Sequence, residues 1–106
     1  MGGGTKWNLL DSKTGTTAIL TPSNFDELCV MVKVNQNDNL VHQFNIPKAY
    51  IPVDNSSIQL RNGWYSNSTA YGTASIGINK AGLWIAFATY LGTEYKDNST
   101  ITVYYR

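Results

Sequence analysis

Very little in this 106-residue chain can do covalent chemistry. It holds one cysteine, Cys29, and one histidine, His42. A single thiol excludes an internal disulfide and a cysteine-based zinc site. Cys29 stands in the apolar run Glu27–Val34 (ELCVMVKV) and reads there as a buried small hydrophobe. Charge is sparse too: 14% of residues are charged and the formal net charge is +1. That balance lacks the basic footprint of a nucleic-acid binder and the basic run of a membrane-surface protein. No apolar stretch approaches the length of a membrane span, so no membrane insertion is expected, and no export signal is visible. Ala, Leu, Glu and Lys are too few for a helical protein.

What is abundant is Asn, Thr, Ser, Gly and Tyr, the composition of an all-β protein with polar loops. Residues 1–5 read as a flexible glycine-rich lead-in, a hinge or a cloning remnant, and residues 6–106 as one domain. The Met1-Gly2 start does not match a myristoylation signal, which wants Ser or Thr where Lys6 stands.

Short alternating segments recur, each closed by turn residues. Strands are expected over Thr5–Leu10 and Thr16–Leu20, with a turn at Asp11–Gly15 between them. The clearest is Glu27–Val34, with Leu28, Val30, Val32 and Val34 on one face and Cys29, Met31 and Lys33 on the other. Asn35–Asn39 (NQNDN) is a turn, and Leu40–Ile46 returns with Leu40, His42, Phe44 and Ile46 sharing a face. The two prolines of IPKAYIPVDNSS make an extended crossing. Further strands are expected at SIQLRNG, Thr73–Ile78, Leu83–Tyr90 and STITVYYR, and one helical turn around SNFDEL. Leu83–Tyr90 is apolar enough to lie centrally, covered on both faces. About eight strands at this spacing predict a two-sheet antiparallel β-sandwich. Without a Cys…Trp…Cys pattern, a jelly-roll-like arrangement is favoured over an immunoglobulin type.

Candidate chemistry is thin. His42 reads as a histidine at the edge of a core, and no G-x-S-x-G nucleophile elbow occurs. The carboxylates Asp11, Asp26, Glu27, Asp38, Asp54, Glu94 and Asp97 are scattered over turns. A glycosidase needs two of them facing across about 5–10 Å, and nothing singles out such a pair. NQNDN has one carboxylate and no glycine, so it reads as a polar turn and not as a calcium loop. Sequons at Asn55, Asn67 and Asn98 reflect loop composition. No phosphate loop or dinucleotide fingerprint is present. The expectation is a protein without catalytic residues, metal or cofactor.

The aromatics stand out: three Trp, seven Tyr and three Phe. Tyr and Trp offer rigid apolar area with a polar tip, and a sugar stacks its C–H face on such a ring while its hydroxyls pair with amides and guanidinium. Arg61–Gly72 (RNGWYSNSTAYG) combines these groups in what reads as a loop. The candidate ligand-binding set is Arg61, Asn62, Trp64, Tyr65, Asn67 and Tyr71. Trp7 and Trp84 are expected in the core, and Tyr90, Tyr95 and Tyr104 form a second candidate surface.

Four short motifs together carry a resemblance: Trp7-x-Leu9-Leu10, SNFDEL at Ser23–Leu28, NGWY at Asn62–Tyr65, and ITVYYR at Ile101–Arg106. In these the chain resembles the C-terminal head domains of bacteriophage and prophage tail-fibre and baseplate receptor-binding proteins. The resemblance implies a non-enzymatic β-sandwich at a virion tail, displayed as a homotrimer and binding host-surface glycans. It supplies no ligand residues of its own. The glycine-rich start would then be a joint after a stalk, and the VYYR ending would close a longer polypeptide. The alternatives are a structural, trimerising head, a carbohydrate-binding module from a multidomain enzyme, and a small hydrolase using His42 or a carboxylate pair.

Overall fold

Alternation of apolar and polar residues resolves into nine strands among the residues that the computed structural model describes, 6–36 and 40–106. The lead-in expected over residues 1–5 and the centre of the NQNDN turn, Asn37–Asn39, lie outside the described residues. In chain order the strands are β1 (Asn8–Thr14), β2 (Ile19–Leu20), β3 (Glu27–Val34), β4 (Val41–Pro47), β5 (Ile58–Asn67), β6 (Ala70–Ile78), β7 (Gly82–Tyr90), β8 (Thr93–Glu94) and β9 (Ser99–Tyr105). One sheet has the order β1-β9-β3-β4. The other is β2-β7-β6-β5, with β8 also paired to β7, and all pairings are antiparallel. This is the expected all-β sandwich. As in a jelly-roll-like arrangement, β9 inserts between β1 and β3, while β5, β6 and β7 form a meander.

The core lies between the sheets and is mostly aliphatic. Leu28, Val30, Val32 and Val34 of β3 are fully buried on one face, with Ile101 and Val103 of β9 beside them. Ala74, Ile76, Ile78, Leu83, Ile85 and Ala88 close it from the other sheet. Period-two patterning places these residues, except at Ala88, where β7 changes phase.

Several sequence expectations are corrected. Strand β1 runs through Asp11–Thr14, most of the segment expected to turn at Asp11–Gly15. A bulge shifts its register between Leu9 and Asp11, and hydroxyl pairs Ser12–Thr102 (2.8 Å) and Thr14–Thr100 (3.0 Å) tie it to β9. Polar cross-strand pairs hold its second half, Asp11–Thr14, which has no apolar signal. SNFDEL forms no helical turn, because the Asp26 and Glu27 amides both donate to the Arg106 carbonyl, at 2.7 and 3.0 Å. The segment Thr16–Leu20 contributes only two strand residues. The crossing after β4 contains a 3₁₀ turn, Lys48–Tyr50, and the expected loop after β7 contains β8 and a second 3₁₀ turn, Lys96–Asn98.

Trp7 and Trp84 are half-buried and stay outside the core. Trp84 is one residue out of phase with Leu83 and Ile85, so it faces outward, over Gly77. A Cβ added at Gly77 would sit 2.5 Å from the indole ring, and glycine is what allows that approach. Trp7 precedes β1, and the Arg106 guanidinium lies 4.2 Å from its ring centre. Arg106 also holds Glu27 through Nε and Nη2, at 3.1 and 3.0 Å.

Candidate functional site

The stretch Arg61–Gly72 is a β-hairpin. Strands β5 and β6 pair from Ile58↔Ile78 out to Asn67↔Ala70, and every residue from Arg61 to Thr69 is exposed. Glycine and serine signals suggested a loop there; pairing to β6, interrupted only by a register shift between Tyr65 and Asn67, overrides them. A hairpin alternates its side chains, so the candidate set cannot share one surface. Gln59, Arg61, Gly63 and Tyr65 point to the outer face, with Gly77, Ser75, Thr73 and Tyr71 respectively opposite them on β6. Asn62 and Trp64 lie on the other side, in phase with Ile58 and Leu60, which pack on the core.

Each candidate therefore has a distinct place. Tyr65 is 72% exposed and pairs directly with Tyr71, their ring centres 6.0 Å apart and tilted by 32°. Trp64 is 41% exposed, on the core-facing side of the hairpin and opposite Gly72. The Asn62 side chain donates to the Gln43 carbonyl at 3.2 Å, tying β5 to β4. Asn67 Oδ1 accepts from the Thr69 amide at 2.9 Å and from its hydroxyl at 2.6 Å, which builds the hairpin turn. The structure thus brings together Arg61, Tyr65 and Tyr71, and gives Asn62 and Asn67 local structural work.

A residue that sequence reasoning missed completes this surface. The register between β6 and β7 shifts between Ser75 and Ile76: Ser75 faces Phe87, while Ile76 faces Ile85. Ala86 is the extra residue of this bulge. Ahead of it Leu83 and Ile85 point inward; beyond it the phase flips, and Ala88 points inward while Phe87 points out. The Ala88 amide donates to Glu94 Oε2 at 2.7 Å. Phe87 had no signal of its own within the apolar run LWIAFATY. Only the bulge turns it to the surface.

On that outer face the Arg61 guanidinium lies 5.3 Å from the Phe87 ring centre, a cation–π distance. Ser75 pairs with both residues across the strands, is fully buried, and its hydroxyl has no hydrogen-bond partner. Arg61, Asn62, Gly63, Thr73 and Phe87 line an open trough of about 300 Å³. The Thr73 hydroxyl lies 2.7 Å from that of Thr89 at its margin. At Gly63 an added Cβ would come no closer than 3.7 Å to Thr73 Cγ2, so the missing side chain opens the trough without being a packing requirement.

In comparisons with known proteins, no family model, curated protein or solved structure matches the chain.

The other candidates fall elsewhere. His42 is 3% exposed on the inner face of β4, its Nε2 without a partner, and burial holds its pKa below the ordinary value. Glu27 pairs with Arg106, Glu94 accepts from the Ala88 and Lys96 amides, Asp11 lies 3.9 Å from Lys13, and Asp54 accepts from Ser56. Among the described residues no cluster of three or more His, Cys, Asp or Glu could hold a metal, and no helix is long and apolar enough to cross a membrane. The second candidate surface divides: Tyr90 and Tyr95 pack against the core, whereas Tyr104 lies on the outer face of the other sheet. There Trp7, Cys29, Met31, Gln43 and Tyr104 line a groove of about 270 Å³, and burial pushes the Cys29 thiol pKa up.

Proposed function

We propose that this chain is a non-enzymatic recognition domain that binds cell-surface carbohydrate through the outer face of β5, β6 and β7, in the setting of a phage or prophage tail-fibre head. The observation that carries the reading is the Arg61–Phe87 trough in line with the Tyr65–Tyr71 pair. It offers three rings, a guanidinium and a threonine hydroxyl on one exposed surface. Rings take the C–H faces of sugars, and the charged and hydroxyl groups take their oxygens. Along β5 the distance from Arg61 to Tyr65 is about 13 Å at the usual strand rise, which suits an oligosaccharide laid lengthwise. The resemblance of the terminal and central motifs to tail-fibre heads supports the virion tail as the setting and a glycan as the partner.

A glycan array tests this. Wild type is expected to bind a restricted set of glycans. Gly63→Val, whose Cβ meets only an ordinary contact, puts a side chain into the trough and should abolish that binding. Trp64→Ala, on the opposite side of the hairpin, should retain it. Binding that survives Gly63→Val and Tyr65→Ala together would refute the assigned surface.

A second reading has its own support. The outer face of the β1-β9-β3-β4 sheet exposes Leu9 and Val41 around the Trp7–Tyr104 groove, an apolar surface suited to contact between copies in a trimerising head. A wild-type protein that binds no glycan and sediments as a tight trimer would favour it.

A further inference from the structure

Away from the aromatic trough, a second cleft differs from it in kind. It has a volume of about 390 Å³, within the range of small-ligand sites, and three separate segments build it. Pro22 and Phe25 come from the connection between β2 and β3. Ile51, Pro52 and Val53 come from the crossing after β4. Lys80 comes from the turn between β6 and β7. The walls are held by backbone hydrogen bonds of the lining residues themselves. Thr21 N donates to Ala81 O at 3.1 Å, Lys48 N to Asp26 O at 2.9 Å, and Ile51 N to Lys48 O at 3.0 Å. The two prolines add stiffness, because their φ is set by the ring. A ligand would meet a cleft that already exists.

Its chemistry is one-sided. The lining is largely apolar, and its two charged members, Lys48 and Lys80, are both cations. The acid Asp54 follows Val53 just outside the lining, within electrostatic reach of Lys80, and is engaged by Ser56. Lys48 Nζ lies 5.4 Å from the Phe25 ring centre, which holds the ammonium over the apolar wall. Val53 is 93% exposed at the rim, an apolar side chain that the fold leaves uncovered.

We propose that this cleft binds a small organic anion, a carboxylate carried on an apolar body, with the acid between Lys48 and Lys80 and the body against Phe25, Ile51 and Val53. Charge complementarity selects the sign of the ligand. The apolar walls exclude a fully hydrated inorganic anion as the best occupant, because such an ion would lose water without gaining contact. The proposal is independent of the glycan reading, since it uses no residue of the trough.

The test is a titration of the ¹⁵N-labelled chain with hexanoate and benzoate, followed by amide shifts, with hexanol, benzyl alcohol and inorganic phosphate as comparison probes. Saturable shifts confined to Thr21–Phe25, Lys48–Val53 and Lys80 are expected for the carboxylates, with affinity at least tenfold above the alcohols and above phosphate. The double variant Lys48→Gln/Lys80→Gln should lose at least tenfold in carboxylate affinity while keeping the wild-type thermal midpoint. Ile51→Asp should also lose binding, and a spectrum dispersed like that of wild type will establish that it is folded. Equal binding of alcohols and acids, tighter binding of phosphate, shifts elsewhere, or undiminished binding by the double variant would each overturn the proposal.

Discussion

The guanidinium of Arg61 lies 5.3 Å from the centre of the Phe87 ring, with the buried Ser75 as cross-strand neighbour to both. Neither contact follows from the sequence neighbourhood of Arg61, because Phe87 is brought alongside from two strands away. If a sugar uses this pair, each partner should matter more than its burial suggests. Phe87→Leu is expected to keep the fold and weaken glycan binding about tenfold, in line with about 0.5–1.5 kcal/mol for an aromatic stack beyond its area. Arg61→Gln should weaken it comparably. Isothermal titration with a glycan found on the array measures both, and unchanged affinity in either variant would count against the trough.

Gly77 should not tolerate a side chain. Its Cβ would meet the Trp84 indole at 2.5 Å, so Gly77→Ala is expected to destabilise by about 1–3 kcal/mol, the usual penalty for overpacking. Adding Trp84→Val should recover part of that loss. Urea denaturation of the single and double variants reads the effect, and a neutral Gly77→Ala would contradict the close ring contact.

The two-residue link between β7 and β8 is Leu91-Gly92, with φ of 53° and 78°. Positive φ at both positions is the geometry of a type I′ hairpin turn, which favours Asn-Gly. Leucine there costs about 1–2 kcal/mol in backbone sterics. Leu91→Asn is therefore expected to raise the thermal midpoint, after allowance for the apolar area that the half-covered Leu91 gives up. A lowered midpoint would mean that its packing outweighs the turn.

His42 gives the fold an acid-sensitive point. Burial holds its folded pKa below the ordinary 6.5, so the unfolded chain takes up the proton first as pH falls. This residue's contribution is intact above about pH 6.5 and is lost below it, by up to about 1.4 kcal/mol per pH unit until the folded histidine also protonates. Denaturation at pH 7.5 and 5.5 should show that loss for wild type and a smaller one for His42→Leu. An equal loss in both would assign the acid sensitivity to other groups.

The principal core strands, and the inward face of those that keep a single phase, are legible in the sequence alone, because burial between two sheets demands period-two alternation. Glu27–Val34 shows this most clearly: its four inward aliphatics are fully buried. Lone histidine and cysteine were legible in the same way, as members of apolar strands. The candidate surface was only half legible. Arg61, Tyr65 and Tyr71 do share a face, but that could not be read from a stretch whose composition suggested a loop. Pairing of β5 with β6 turned the segment into a hairpin and sent Trp64 and Asn62 to the other side. Phe87 depended on tertiary structure entirely. A one-residue bulge at Ala86 reverses the phase of β7 midway, and a bulge arises from how three strands fit together, which leaves no mark in the local pattern of apolar residues.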